Sequence, residues 1–457
     1  MSKVNRRDFM RISGLGMAAS ASVGQIAFNG KASAATTFNV VIIGGGFSGA
    51  SCARYLKQWT TTDGLSVNVT LIDRNSVYAS PILSNLVLVG TLAKAKLDFS
   101  YDALKSLGVK VINAEVTGID TASKAVTAGG IRYAYDRLVI APGIDYDYTN
   151  ADGKVIDGLE AAITARTIIP AWKGGSDVEA LRQQMVNAPS GSTYILSIPL
   201  APYRCPPGPY ERACVVADWL KKNKSGKVIV LDANLSIQAE ANTFTNAFAK
   251  AGNVTYVPSA HLVSVSKSGS TWNVVTTTGT YSGQILNVLP RQRAGKVLDL
   301  IPGILAGGRF APVHGLTYES LAPGYAGVHV IGDAQGTPQP KAGHIGNGEG
   351  KVCAEALASM LKYGFADTQA YLNGAGSGNV PPVVTNSACY SPITASSSKT
   401  ASYLTAGYRT DTTGNWAPVK IVESVGEAPS PSGDNFSKMY SWATNLFNDT
   451  FATTRSL

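Results

Sequence analysis

The sequence predicts an α/β fold: two parallel-sheet domains of the dinucleotide-binding type and a small α+β module after them. Three observations carry this. A strand, glycine loop, helix, strand and acid follow one another near the start of the chain. A second strand–helix–strand unit lies in the middle. Late strand patterns follow a Gly/Asn/Pro-rich stretch. The 457 residues also exceed what one hydrophobic core organises.

The elements can be taken in order. Phe38–Ile43 reads FNVVII, a buried-strand pattern, and Gly44-Gly45-Gly46-Phe47-Ser48-Gly49 follows it. A helix to about Trp59 and a strand over Val67–Ile72 come next, ending at Asp73. Gly44, Gly46 and Gly49 permit the tight turn that brings backbone N–H groups to a pyrophosphate at the helix start. Asp73 is placed to accept hydrogen bonds from a ribose. Residues 109–140 read as short strands with turns at Asp120-Thr121 and Gly129-Gly130, ending in Ala141-Pro142-Gly143. Thr193–Ile198, a helix over Pro209–Lys222 and Lys227–Leu231 form the second unit. Its first strand runs into Pro199-Leu200-Ala201-Pro202, which offers no glycine cradle for a second dinucleotide. Strands return over 254–290, then Val328–Ile331 closes with Gly332-Asp333-Ala334, and a helix is expected over about Gly348–Tyr363. Residues 371–383 read as a linker. Beyond it come strand patterns around Ser402–Tyr408 and Val419–Val425, then an aromatic-rich segment, Phe436–Phe451, expected to pack rather than to lie on a membrane.

Composition excludes several functions. No apolar run is long enough to span a bilayer. Five cysteines without CxxC, CxxCH or HExxH suggest neither a structural zinc nor a haem on this chain, and His261, His314, His329 and His344 have no metal-ligand spacing. The net charge is +9. Residues 1–34 hold five basic residues against Asp8 alone, so the remainder carries +5. The later cluster of Lys221, Lys222, Lys224 and Lys227 sits at a helix end, where cations suit the dipole, and is not expected to bind nucleic acid. Asn5-Arg6-Arg7-Asp8-Phe9-Met10, a weakly apolar stretch and Ala32-Ser33-Ala34 read as a twin-arginine export signal. The expectation is a periplasmic protein beginning near Ala35.

The glycine motif, the Ala141-Pro142-Gly143 turn and the late Gly332-Asp333 pair together resemble the two-dinucleotide-binding-domain, glutathione-reductase-like flavoproteins. The stretch Tyr203-Arg204-Cys205-Pro206-Pro207-Gly208-Pro209-Tyr210-Glu211-Arg212 narrows this: it resembles the flavoprotein subunit of flavocytochrome c sulfide dehydrogenase. Leu83-Ser84-Asn85, Pro290–Gly295, Pro340–Gly343, Cys389-Tyr390-Ser391 and Tyr440-Ser441-Trp442 agree, in order. The resemblance implies an FAD-binding domain over 35–150 and 291–375, a second Rossmann-like domain over 151–290 and an interface domain over 376–457.

It also implies a function: sulfide oxidation through a Cys205–Cys389 disulfide beside FAD, with electrons passed to a separate c-type cytochrome subunit that carries the haem. Glu211 would be the nearby acid, Trp442 an aromatic at the flavin, and Asn85, Ala141, Gly143 and Asp333 cofactor contacts. One departure concerns the flavin link. Relatives can tether FAD through a cysteine at the place held here by Pro81, so FAD is expected to be non-covalent.

The residues add expectations of their own. The start of a helix near Pro209, with Arg204 and Arg212, should lower the Cys205 pKa. Lys341 is placed to stabilise negative charge on reduced flavin. Cys52, Cys214 and Cys353 read as core residues. The rival functions are sulfide:quinone oxidoreductase and a non-catalytic flavin- or sulfur-binding electron-transfer subunit.

Overall fold

The computed structural model describes residues 37–374, 380, 382–416 and 422–457. The export signal expected over residues 1–34 lies outside the described residues. The first sheet is five-stranded and wholly parallel, in the order Val328–Val330, Arg137–Ile140, Phe38–Ile43, Val67–Asp73, Lys110–Asn113. Arg137–Ile140 is buried along its whole length, as a parallel strand covered on both faces requires. The late strand Val328–Val330 pairs with Arg137–Ile140, so the chain re-enters its first sheet after leaving it for almost two hundred residues. The helix Phe47–Thr62 rises from the glycine loop and packs on the helix Gly343–Tyr363.

The second sheet is also parallel, in the order Val254–Val257, Lys227–Asp232, Thr193–Ile198, Ile285–Val288. Two passages connect the two sheets, and they pair with each other: Ile144–Asp147 lies antiparallel to Arg291–Ala294. Arg291 reinforces the crossing through Asp147 at 3.3 Å.

The last module is an antiparallel sheet, Val384–Thr394, Thr400–Arg409 and Val422–Glu427, closed by the helix Gly433–Phe451. Ser432 caps that helix by accepting the Asn435 N–H at 3.1 Å. Phe436, Phe447 and Phe451 are buried, and Phe451 stacks on Phe99 of the first domain at 4.7 Å. The aromatic stripe is therefore packed inward. Among the described residues no helix is long and apolar enough to cross a membrane.

Two local expectations change, and one strand is added. The helix expected from about Gly348 begins at Gly343. Its first turns, Gly343-His344-Ile345-Gly346-Asn347-Gly348, have poor intrinsic propensity, and packing of buried Ile345 holds them helical. The linker read over 371–383 overlaps a short helix, Thr368–Gly374, anchored by fully buried Tyr371. The strand Val384–Thr394, which carries Cys389, has no clear alternation in sequence and is set by pairing with Thr400–Arg409.

Candidate active site

A cavity of about 940 Å³ opens where the carboxyl ends of the first sheet face the start of the helix Gly208–Lys224 and the last module. This is the size of a cofactor pocket. From the first sheet it is lined by Gly44, Gly46, Asp73, Ala141 and Gly143. Gly44 has φ +97°, and a Cβ there would stand 2.2 Å from the Ala141 oxygen, so the loop and the Ala141-Pro142-Gly143 turn meet too closely for any side chain. Gly46 and Phe47 open a 16-residue helix toward the cavity, with free backbone N–H groups as an anion requires. Asp73 accepts the Gly45 N–H at 2.7 Å and so ties the loop to the second strand. The loop, helix start and acid fit a flavin dinucleotide. Gly49 does not face the cavity; a Cβ on it would fall 1.9 Å from the Gly44 oxygen, so it serves close packing of helix on loop.

The opposite wall is built on the Cys205 turn. Cys205 sits at φ +58°, a left-handed conformation costing a non-glycine residue about 1–2 kcal/mol. Its N–H donates to the Lys341 oxygen at 2.8 Å, and its oxygen accepts the Gly208 N–H at 2.9 Å. Arg204 is held on either side: Gln292 accepts its N–H at 2.7 Å, and Trp172 Nε1 donates to its oxygen at 3.2 Å. Gly208 is required here, because a Cβ would lie 2.8 Å from Cys205 Sγ and 2.9 Å from the Trp172 ring.

Cys389 reaches the same cavity from the strand Val384–Thr394, 184 residues later in the chain, and its thiol is hydrogen-bonded to that of Cys205. Ser387 Oγ lies 3.8 Å from Cys389 Sγ on the same strand face. The last module is fastened to the Cys205 helix through Asp218. One of its carboxylate oxygens accepts the Ala395, Ser396 and Ser397 N–H groups at 3.0, 2.6 and 3.1 Å.

The two thiols are unlike. The Cys205 thiol is held well above its ordinary pKa. It donates its proton to Cys389, it is buried, and negative charge on Cys389 and Glu211 opposes its ionisation. Cys389 is held below, because it accepts that hydrogen bond and a weaker one from Ser387. This corrects the expectation that the helix start and two arginines would acidify Cys205. Arg204 spends its charge on Asp333, at 2.5 Å. Arg212 is fully buried and gives its protons to Asn85, Asn287, Pro170 and Ala171.

Glu211 lines the cavity at 9% exposure, and burial pushes its carboxyl up to about 8. Asn85 Nδ2 donates to it at 2.8 Å, while Asn85 Oδ1 accepts from Arg212 Nε, so Asn85 is locked between them. Asp333 and Trp442 also line the cavity, Trp442 beside His344 with ring centroids 6.1 Å apart. Lys341 does not. Its Nζ donates to the Gln335 oxygen at 2.7 Å and lies 3.7 Å from the centre of the Phe310 ring. Burial lowers it to about 8. The expectation that its charge faces the flavin is corrected: only its backbone oxygen serves the site, through Cys205.

Trp172 and His344 line the cavity, and Asp218 and Gln292 brace it, in places the sequence does not mark as a site. Only Gln292 had a signal, as part of the Pro290–Gly295 stretch. The other cysteines stay off the cavity. Cys52, Cys214 and Cys353 are buried, and the Cys52 and Cys353 thiols are hydrogen-bonded to each other between the two packed helices.

Comparison with known proteins agrees with this geometry. Residues 38–183 match the pyridine nucleotide-disulphide oxidoreductase family, and residues 178–290 match the sulfide dehydrogenase (flavocytochrome c) flavoprotein chain, central region. Each match covers less than half of the chain, which is similar to these two families over those residues. The chain has the fold of the two-dinucleotide-binding-domain flavoproteins. Over 115 residues, 25% of this chain, it is 30% identical to a type II NADH:quinone oxidoreductase of Staphylococcus haemolyticus, and the match spans 28% of that protein's length. Among solved structures it is similar to the sulfide:quinone oxidoreductase of Aquifex aeolicus: TM-score 0.64, 16% identity, 92% of each chain covered. It is also similar to a chain of the Tetrahymena thermophila mitochondrial ATP synthase: TM-score 0.62, 15% identity, 95% of this chain and 99% of that one. At such identities the likeness is one of fold.

Proposed function

We propose that this chain is an FAD-dependent sulfide dehydrogenase: it oxidises sulfide through a Cys205–Cys389 disulfide and passes electrons to a separate c-type cytochrome. The observation that carries it is the convergence of two thiols from distant parts of the chain, with a buried carboxyl, on one dinucleotide-sized cavity. Export to the periplasm by the twin-arginine route completes the proposal and rests on residues 5–34. The quinone alternative is less favoured, because Phe436, Phe447 and Phe451 are spent on the core.

The residues divide the work. Glu211, once ionised, takes a proton from hydrogen sulfide. The resulting HS⁻ attacks Cys205 Sγ, a new S–S bond forms, the Cys205–Cys389 bond breaks, and Cys389 leaves as a thiolate. Cys205 is left as a persulfide. Cys389 is the better leaving group because the sulfur with the lower pKa departs faster. Asn85 and Arg212 hold Glu211 in place, and Asp218 keeps the Cys389 strand against the Cys205 turn. Gly44, Gly46, Asp73, Ala141, Gly143, Asp333 and Trp442 would hold FAD, which supplies the two-electron sink and releases electrons singly.

The decisive experiment is sulfide-dependent reduction of a c-type cytochrome by the purified flavoprotein together with its cytochrome subunit. Turnover supports the proposal; flavin that sulfide leaves oxidised overturns it.

Two further outcomes follow. Pro81 lines the cavity and cannot form a thioether, so FAD should be non-covalent. Acid precipitation should leave the flavin in the supernatant, and a flavinylated peptide in the pellet would contradict this. Secondly, NADH and NADPH should not bleach the flavin. Asp232, the acid ending the second strand of the second sheet, has its carboxylate occupied by Tyr210, Tyr256 and Asn234 at 2.7–2.9 Å. No glycine loop precedes it. Rapid anaerobic bleaching by either nucleotide would contradict this.

A further inference from the structure

Behind the cavity wall, against the strand that carries Cys389, lies a buried carboxyl group that the chemistry above does not use. Glu240 is 4% exposed and precedes the helix Ala241–Ala251 in a left-handed conformation, φ +51°. Ser387, Cys389 and Ser391 alternate onto one face of their strand. From that face Ser391 Oγ donates to Glu240 Oε2 at 2.6 Å. Glu240 Oε1 has no hydrogen-bond partner among the described residues, and neither has Ser402 Oγ, although Ser402 lies close enough to steady the carboxylate. An ionised carboxylate with a bare buried oxygen is costly, whereas a protonated one donates from that oxygen.

The groups facing Glu240 are almost all acidic. The helix Gly208–Lys224 contributes Glu211 and Cys214, the strand Val384–Thr394 contributes Cys389, and the strand Val422–Glu427 contributes Glu427. Glu240 opposes ionisation of both Glu211 and Cys389. Three buried acids in mutual reach cannot all be charged together.

We propose that Glu240 is a positioning residue of the sulfur site: a carboxyl that takes up a proton when Cys389 becomes a thiolate and gives it back when the disulfide re-forms. It rests on the disulfide chemistry proposed above. The balance closes within that chemistry. Opening the disulfide with H₂S yields the Cys205 persulfide, the Cys389 thiolate and one proton, the one Glu211 removes, and Glu240 is a second buried group that can hold it. Burial raises Glu240 to about 7, which places the exchange near neutrality.

The test uses the reduced, FAD-loaded protein without sulfide. Iodoacetamide alkylation of Cys389 is followed against pH by peptide mass spectrometry. Removing the Glu240 charge removes a brake on Cys389 ionisation. Glu240→Gln, which keeps the acceptor for Ser391, should therefore move the alkylation midpoint down by about half a pH unit or more. Ser391→Ala removes a donor that favours ionised Glu240, so it should move the midpoint the same way, and it carries the test if Glu240→Gln does not fold. Curves for folded, flavin-loaded variants that superimpose on the unsubstituted protein overturn the inference. Because no sulfide is present, a shifted curve in a protein that sulfide cannot reduce supports this inference while removing the sulfide reading. An unshifted curve in one that sulfide does reduce does the reverse.

Discussion

Cys205→Ser and Cys389→Ser should each bring sulfide-driven flavin reduction to background while FAD remains bound. Serine cannot form the disulfide that sulfide must attack, and neither substitution touches the glycine loop, Asp73 or the Ala141-Pro142-Gly143 turn. The comparison that gives the result meaning is with Cys52→Ser, Cys214→Ser and Cys353→Ser, which alter buried packing away from the cavity and should keep activity with modest losses of stability. Flavin content separates catalysis from stapling. Loss of a structural disulfide would lower stability by about 2–4 kcal/mol and cost cofactor as well. A chain of this size has core enough without it. Substantial sulfide oxidation by Cys389→Ser, measured as anaerobic bleaching, would remove that residue from the mechanism.

Glu211→Gln should lower the rate of sulfide-driven reduction by about 10²–10⁴-fold, the usual contribution of a positioned base. The pH dependence carries the sharper signature. Burial raises Glu211 to about 8, so its base form grows in as pH rises through that value. After allowance for the ionisation of sulfide itself, the rate should climb toward a plateau above pH 8, and Glu211→Gln should erase that limb. Glutamine still meets Asn85, so flavin content and melting temperature serve as controls for folding. A Glu211→Gln profile that keeps the limb would assign the base elsewhere.

Sequence order made much of this molecule legible. The strand, glycine loop, helix and acid over 38–73 predict local structure and chemistry together, because every constraint is short-range: a turn only glycine allows, a helix start and an acid at a strand end. The second unit was legible in the same way, and its Pro199–Pro202 loop told what it lacks. Relations across the chain were not. Nothing near Cys389 says that its thiol will accept a hydrogen bond from Cys205, since a strand without alternation and the Asp218 clamp bring it there. The direction of the Cys205 shift is not legible in sequence for the same reason: the helix start lies next to it in the chain, while Cys389 and Glu211 outweigh it in space. Lys341 stands among residues that line the cavity, yet its side chain turns to Phe310 and Gln335.

The most direct test is to add one equivalent of sulfide anaerobically to the oxidised protein, quench with an alkylating agent and map the sulfur by peptide mass spectrometry. The account predicts one added sulfur on Cys205 and an alkylated Cys389 thiol that is not alkylated before sulfide is added; in the Cys205→Ser variant no sulfur is added, and Cys389 is alkylated with or without sulfide. Flavin reduced by sulfide with no sulfur attached to either cysteine would contradict it.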